Sequence, residues 1–198
     1  MKKVYYLLFI LLLSAPVMKA QKAEVGITFS ALSDNSIARF GDNYISDSGT
    51  DAGKSYAFGV TYLKPLNKWL DIETGIEFLK SKASIHSIES TPSGVTTVFR
   101  YGNVSLLNVP VSVRANFWKY CFVNGGVVLD VDVSSNSPVQ TQTGLGSLLG
   151  FGLKYDFKTG ISLFVNPYMK IHSFPLSFQT NHEHLFESAV RFGVSYKL

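Results

Sequence analysis

Only one cysteine, Cys121, occurs in 198 residues, so no internal disulfide staples this chain. Charge is scarce as well: 16% of residues are charged against 46% hydrophobic, which excludes a disordered or heavily solvated protein. Acids are missing altogether from the first twenty residues, where Lys2, Lys3 and Lys19 lie. Beyond that stretch 15 basic residues face 14 acidic ones, so the net charge of +4 belongs chiefly to the leader. No basic footprint for nucleic acid remains. After Ala20 no apolar run reaches the roughly 18 residues that a transmembrane helix needs, and no strong helical periodicity is present.

The first twenty residues have the order of a secretory signal peptide. Met1-Lys2-Lys3 is a basic start, Val4 to Leu13 an apolar run of ten, and Ser14-Ala15-Pro16 a break before Ala20. Ten residues rise roughly 15 Å as a helix, about half of a bilayer core, so the run is too short for an anchor. No cysteine follows for lipid attachment. Residues 1–20 are expected to be the signal peptide and 21–198 a single β-barrel domain.

The remainder alternates with a period of two. Val25, Ile27 and Phe29 are separated by Gly26 and Thr28, and Tyr56, Phe58, Val60 and Tyr62 by Ala57, Gly59 and Thr61. The same pattern recurs from Leu70 to Phe78, Leu107 to Phe117, Cys121 to Val131, Leu149 to Phe157, Ile161 to Ile171 and Val190 to Leu198. Successive side chains of a strand point to opposite faces, so these are eight one-sided strands. Short links at 64–68, 118–120 and 158–160 alternate with long polar ones near 31–55, 80–103, 132–146 and 172–187. That asymmetry predicts an all-β fold, an eight-stranded antiparallel up-and-down transmembrane barrel with every long loop at one end.

Pairing Tyr62 with Leu70, Phe117 with Cys121, and Phe157 with Ile161 keeps one face of each hairpin free of charge, as a buried face demands. The opposite face is small or ionic: Gly26, Gly59, Gly75, Gly150, Gly152 and Gly193, with Glu73, Glu77, Arg114, Asp130, Lys154 and Arg191. Such a face suits a narrow lumen closed by ion pairs. Tyr62, Phe117, Phe157 and Tyr196 end strands at the short-turn side, beside Trp69, Trp118 and Tyr120, which is the aromatic girdle of a membrane barrel. The rival is a soluble barrel with its apolar face inside. Pro110 and Pro167 fall inside strands, where each removes a ladder donor.

Leu106-Leu107-Asn108-Val109-Pro110-Val111-Ser112-Val113-Arg114, followed by Tyr120 to Gly126, resembles two strands of the PorT-type outer-membrane beta-barrel domain. The last strand, Arg191 to Leu198, is similar to the terminal strand of that family, departing at Leu198, where Phe is commoner. The resemblance covers about Gln21 to Leu198. It implies an outer membrane of the Bacteroidota type and brings no catalytic residue with it.

Constellations for chemistry are weak. His182-Glu183-His184 is the best metal candidate, but it lies in a polar segment without a helix to set its spacing. His86 and His172 stand alone, with solvated or capping roles expected. Ser173 follows His172, and neighbours on a strand point to opposite faces, so they make no nucleophile–base pair there. No Gly-x-Ser-x-Gly occurs, and Gly144-Leu145-Gly146 with Gly150 and Gly152 fails the dinucleotide spacing. Glu73, Arg114 and Lys154 are expected to share one lumen layer as an ion-pair plug, closed to an open pore.

The sequence therefore predicts an outer-membrane barrel without catalytic, cofactor or metal residues. Its expected partners are outer-membrane lipid and, during biogenesis, the barrel-assembly machinery. A structural or surface-interaction role would reside in the long loops, above all Ala31–Ser55 with Arg39, Phe40, Asp42, Tyr44 and Asp47. The alternatives are a lipid-modifying barrel enzyme, and a soluble periplasmic ligand carrier.

Overall fold

The computed structural model describes residues 22–39, 50–91, 94–135, 137–173 and 183–198. Eight antiparallel strands close into one barrel in sequence order: β1 (Glu24–Arg39), β2 (Thr50–Pro65), β3 (Leu70–Thr91), β4 (Gly94–Phe117), β5 (Cys121–Asp132), β6 (Gly144–Asp156), β7 (Ile161–Ile171) and β8 (Glu183–Lys197). β1 closes the cylinder against β8, with Val25 opposite Tyr196 and Ile27 opposite Val194.

The apolar faces point outward. Phe151 is 62% exposed, Leu153 59% and Val194 44%, while Glu73, Asp130, Asn166 and Glu187 are at most 1% exposed. A soluble barrel would reverse these two sets, so the soluble-carrier alternative fails on the orientation of the strands. Carbon-rich side chains on every strand form the outer band, which only a hydrocarbon surround stabilises.

Two of the expected hairpin registers hold residue for residue: Phe117 pairs with Cys121, Ala115 with Val123, Tyr155 with Leu163 and Lys154 with Phe164. The hairpin of β2 and β3 differs. Tyr62 lies opposite Thr74 and Val60 opposite Ile76, a slide of four residues from the expected Tyr62–Leu70 pairing. The turn lies two residues further along the chain than that pairing implies, and Asn67 closes it, its Oδ1 accepting from the Trp69 N–H at 2.9 Å and the Leu70 N–H at 2.8 Å. An even slide leaves both faces unchanged.

The long polar link expected at 80–103 is mostly strand. β3 and β4 have 22 and 24 residues against 11 to 16 elsewhere, and their ladder runs on to Thr91 opposite Gly94. Serines and threonines there read as loop, yet the segment Val95-Thr96-Thr97-Val98-Phe99 is β-branched and aromatic. β1 and β8 likewise extend into the segments expected to be loops.

Each strand proline interrupts one ladder, and a side-chain hydrogen bond is made beside it. The β6–β7 ladder skips Pro167, and Asn166 Nδ2 donates to the Phe151 carbonyl at 2.8 Å in place of the missing proline N–H. The β3–β4 ladder skips Pro110, whose carbonyl accepts from Thr74 Oγ1 at 2.9 Å.

Candidate functional site in the barrel lumen

The inward faces of β3 to β8 fill the cylinder in layers. Near the short-turn end Phe122 and Phe164 meet edge to face, ring centroids 6.2 Å apart. Gly152 and Gly193 leave the space for them. A Cβ at Gly152 would lie 2.3 Å from Phe122 Cζ, and one at Gly193 2.1 Å from Phe164 Cζ.

Above the two rings is the ion-pair layer. Arg114 Nη2 lies 2.6 Å from Glu73 Oε2, and Arg191 Nη1 2.9 Å from Glu73 Oε1. The Arg114 guanidinium also stacks 4.3 Å from the Phe122 centroid. Arg191 Nη2 donates to Asn166 Oδ1 at 2.7 Å, and Asn166 Nδ2 lies 3.2 Å from Asn124 Oδ1. The expected plug of Glu73, Arg114 and Lys154 is thus corrected in one member. Arg191 completes it, whereas Lys154 sits at the mouth, 3.8 Å from Asp156. Lys154 lies two residues from the end of β6, opposite Phe164 and so at the level of the ring pair, below the ion-pair layer.

A second polar cluster lies toward the long-loop side. Lys170 pairs with Glu77 and lies 3.6 Å from Glu187 Oε2. Tyr168 donates to Glu187 Oε1 at 2.6 Å. His172 is fully buried, Nδ1 3.0 Å from Asp130 Oδ2 and Nε2 3.3 Å from Glu187 Oε2. The expectation that His172 is solvated or capping is therefore overturned. With both ring nitrogens facing carboxylates, only the doubly protonated imidazolium offers a donor to each. Between mouth and cap, the acids Glu73, Glu77, Asp130 and Glu187 then meet four cations, Arg114, Lys170, Arg191 and His172.

Ser173 also turns inward. Its φ of 54° breaks strand alternation, so His172 and Ser173 are both buried despite being adjacent. Ser173 Oγ lies 3.2 Å from His184 Nδ1 and 3.3 Å from Gln142 Oε1. Gln142 accepts the Leu185 N–H at 2.9 Å, fastening the segment after β5 across the outer end of the lumen. Val139 of that segment packs with Leu79, Ala83, Val104, Leu106 and Leu185.

The remaining candidates do not converge. Among the described residues no group of three metal-ligating side chains forms. His184 is buried, Glu183 begins β8, and His182 lies outside the described residues. Arg39 ends β1; Phe40, Asp42, Tyr44 and Asp47 lie outside the described residues. His86 stands in β3 opposite Phe99. Gly144-Leu145-Gly146 opens β6, a strand.

These features define a closed membrane barrel with a charged, side-chain-filled core. Residues 6–197 match the outer membrane protein beta-barrel domain, and the chain belongs to that family. Its place is the cell outer membrane. No curated protein shows a significant sequence match to this chain. Among solved structures it is similar to the outer membrane protein OprG from Pseudomonas aeruginosa, at 11% identity and a TM-score of 0.52, covering 90% of this chain and 97% of OprG. It is equally similar to the outer membrane protein AlkL in lipid bilayers, at 13% identity and a TM-score of 0.52, covering 91% and 93% of the two chains. At such identities these likenesses concern the fold alone.

Proposed function

We propose that this chain is a structural or surface-interaction barrel whose role resides in its outer segments, and that it neither conducts freely nor turns over a substrate. The observation that supports this reading is the filled lumen, with the Glu73–Arg114–Arg191 plug below and the Val139–Gln142 segment across the outer end. An eight-stranded interior is just wide enough for side chains. Among the described residues the β3–β4 hairpin is the longest outer extension, and binding usually sits on such extensions of a rigid scaffold. In the same reading residues 1–20 are removed on export and the barrel-assembly machinery inserts the mature chain. The finer affiliation is to PorT-type domains of Bacteroidota outer membranes.

Two measurements test it. The mature barrel in planar bilayers should show no steady open-channel current; such a current would defeat the closed-scaffold reading. In a Cys121→Ser background, Ser90→Cys should react with a membrane-impermeant maleimide on intact cells, and failure to react would defeat the surface role.

A second reading, a lipid-modifying enzyme, is favoured by the contact between Ser173 and His184. Against it, Ser173 and His184 are 2% and 3% exposed, and the neighbouring third group is an amide, Gln142. Ser173→Ala is expected to leave the outer-leaflet lipid profile of the producing cells unchanged; an altered profile would favour the enzyme.

A further inference from the structure

The short-turn rim carries charge of one sign on its outside. Its segments 22–24, 64–71, 118–120 and 154–160, with Lys197, hold seven lysines against three acids. The acids face the mouth of the lumen and are engaged there. Glu24 accepts from Ser195 Oγ at 2.7 Å, Asp71 from Asn116 Nδ2 at 2.6 Å, and Asp156 from Ser162 Oγ at 2.6 Å. Lys154 and Lys197 lie within 3.8 Å of these carboxylates. The other five, Lys22, Lys64, Lys68, Lys119 and Lys158, are exposed and form no ion pair with another described residue.

Lys64, Lys119 and Lys158 sit on the ends of the barrel wall, at the β2–β3 turn, between β4 and β5 and between β6 and β7, while Lys22 before β1 and Lys68 of the β2–β3 turn border the lumen mouth beside Glu24 and Asp71. Several adjoin an exposed aromatic residue. Trp69 follows Lys68, Trp118 and Tyr120 flank Lys119, and Phe157 precedes Lys158. Lys119 Nζ lies 5.2 Å from the Tyr120 centroid. Interfacial aromatics fix the depth of this rim at the headgroup level, where flexible lysine stems lift their ammonium groups to the phosphates. By sequence the long links 31–55, 80–103, 132–146 and 172–187 hold five Lys and Arg against eight acids, one of which, Glu187, is already paired inside the lumen.

We infer that the lysine rim is a binding surface for anionic phospholipid headgroups of the periplasmic leaflet. A ring of exposed ammonium groups at headgroup depth matches an annulus of phosphodiesters. Each lysine near an anionic membrane surface adds an attraction that salt screens.

Trp69 and Trp118, the chain's two tryptophans, both lie on this rim and report on its lipid neighbours directly. The full mature barrel is placed in vesicles in which either the phosphatidylglycerol or the phosphatidylcholine component is brominated. Quenching should show a preference for phosphatidylglycerol of roughly threefold at low salt, falling to about one in high salt. The variant Lys64→Gln, Lys68→Gln, Lys119→Gln, Lys158→Gln should lose the preference while keeping heat-modifiable gel mobility. Equal quenching by the two lipids in the unaltered barrel overturns the proposal, as does a preference that survives high salt. If equal quenching is accompanied by co-sedimentation with purified cell-wall sacculi, the rim's partner is the cell-wall polymer instead.

Discussion

Arg114 lies between the carboxylate of Glu73, 2.6 Å from Nη2, and the face of Phe122, 4.3 Å from the guanidinium carbon. Removing one member of a buried ion pair leaves a charge that water cannot reach, which costs about 3–5 kcal/mol. Arg191 still faces Glu73, so Arg114→Ala should fall near the lower end, about 3 kcal/mol. Urea unfolding in detergent, followed by gel mobility of unheated samples, measures it. Equal melting of the two proteins would remove the plug as a source of stability.

His172 holds two carboxylates from different strands, Asp130 of β5 and Glu187 of β8. His172→Gln should destabilise the barrel by about 3 kcal/mol, because two acids then share a lumen with one cation fewer. Asp130→Asn in that background should restore part of the loss by matching the charges again. The coupling energy of the double-mutant cycle should be at least about 1 kcal/mol. Strict additivity of the two changes would mean that the histidine and the aspartate do not act as a pair.

The contrast between Arg114 and Ser173 marks what the sequence makes legible. Arg114 sits on a strictly alternating strand, so parity alone puts it inward, opposite Asn124, where the structure has it. His172 keeps the inward parity of Tyr168 and Lys170, but Ser173 just past it turns inward too at a φ of 54°, which no period-two pattern encodes. The same limit applies to lengths. Charge-free faces fix parity, but parity is blind to an even slide, so the β2–β3 register and the long β3–β4 ladder depend on turn and pairing contacts. Membership of the plug is a matter of depth as well as face. Arg191 and Lys154 both lie on the polar face, and only the closure of β8 against β7 and β1 brings Arg191 to Glu73.

Gly193 exists to admit a ring. A Cβ there would approach Phe164 Cζ to 2.1 Å, with no open space on that side. Gly193→Ala should therefore cost about 1–3 kcal/mol through overpacking. Phe164→Leu in the same chain should recover part of that loss, although Phe164→Leu alone also destabilises. An alanine variant with an unchanged urea midpoint would show that the ring moves aside freely.

Asn166 stands in for a backbone donor. Pro167 has no N–H to give the Phe151 carbonyl, and the Asn166 side-chain amide reaches that oxygen at 2.8 Å. Asn166→Ala leaves the carbonyl without its donor and also frees Arg191 Nη2, so a loss of about 2–3 kcal/mol is expected. Pro167→Ala supplies an amide proton at the position the ladder skips. In the native chain that change has little to repair, because Asn166 already serves the carbonyl. In the Asn166→Ala chain it should return about 1 kcal/mol, the net worth of one hydrogen bond. The rescue must depend on the background: a Pro167→Ala gain of equal size in both chains would mean that the asparagine and the proline act independently.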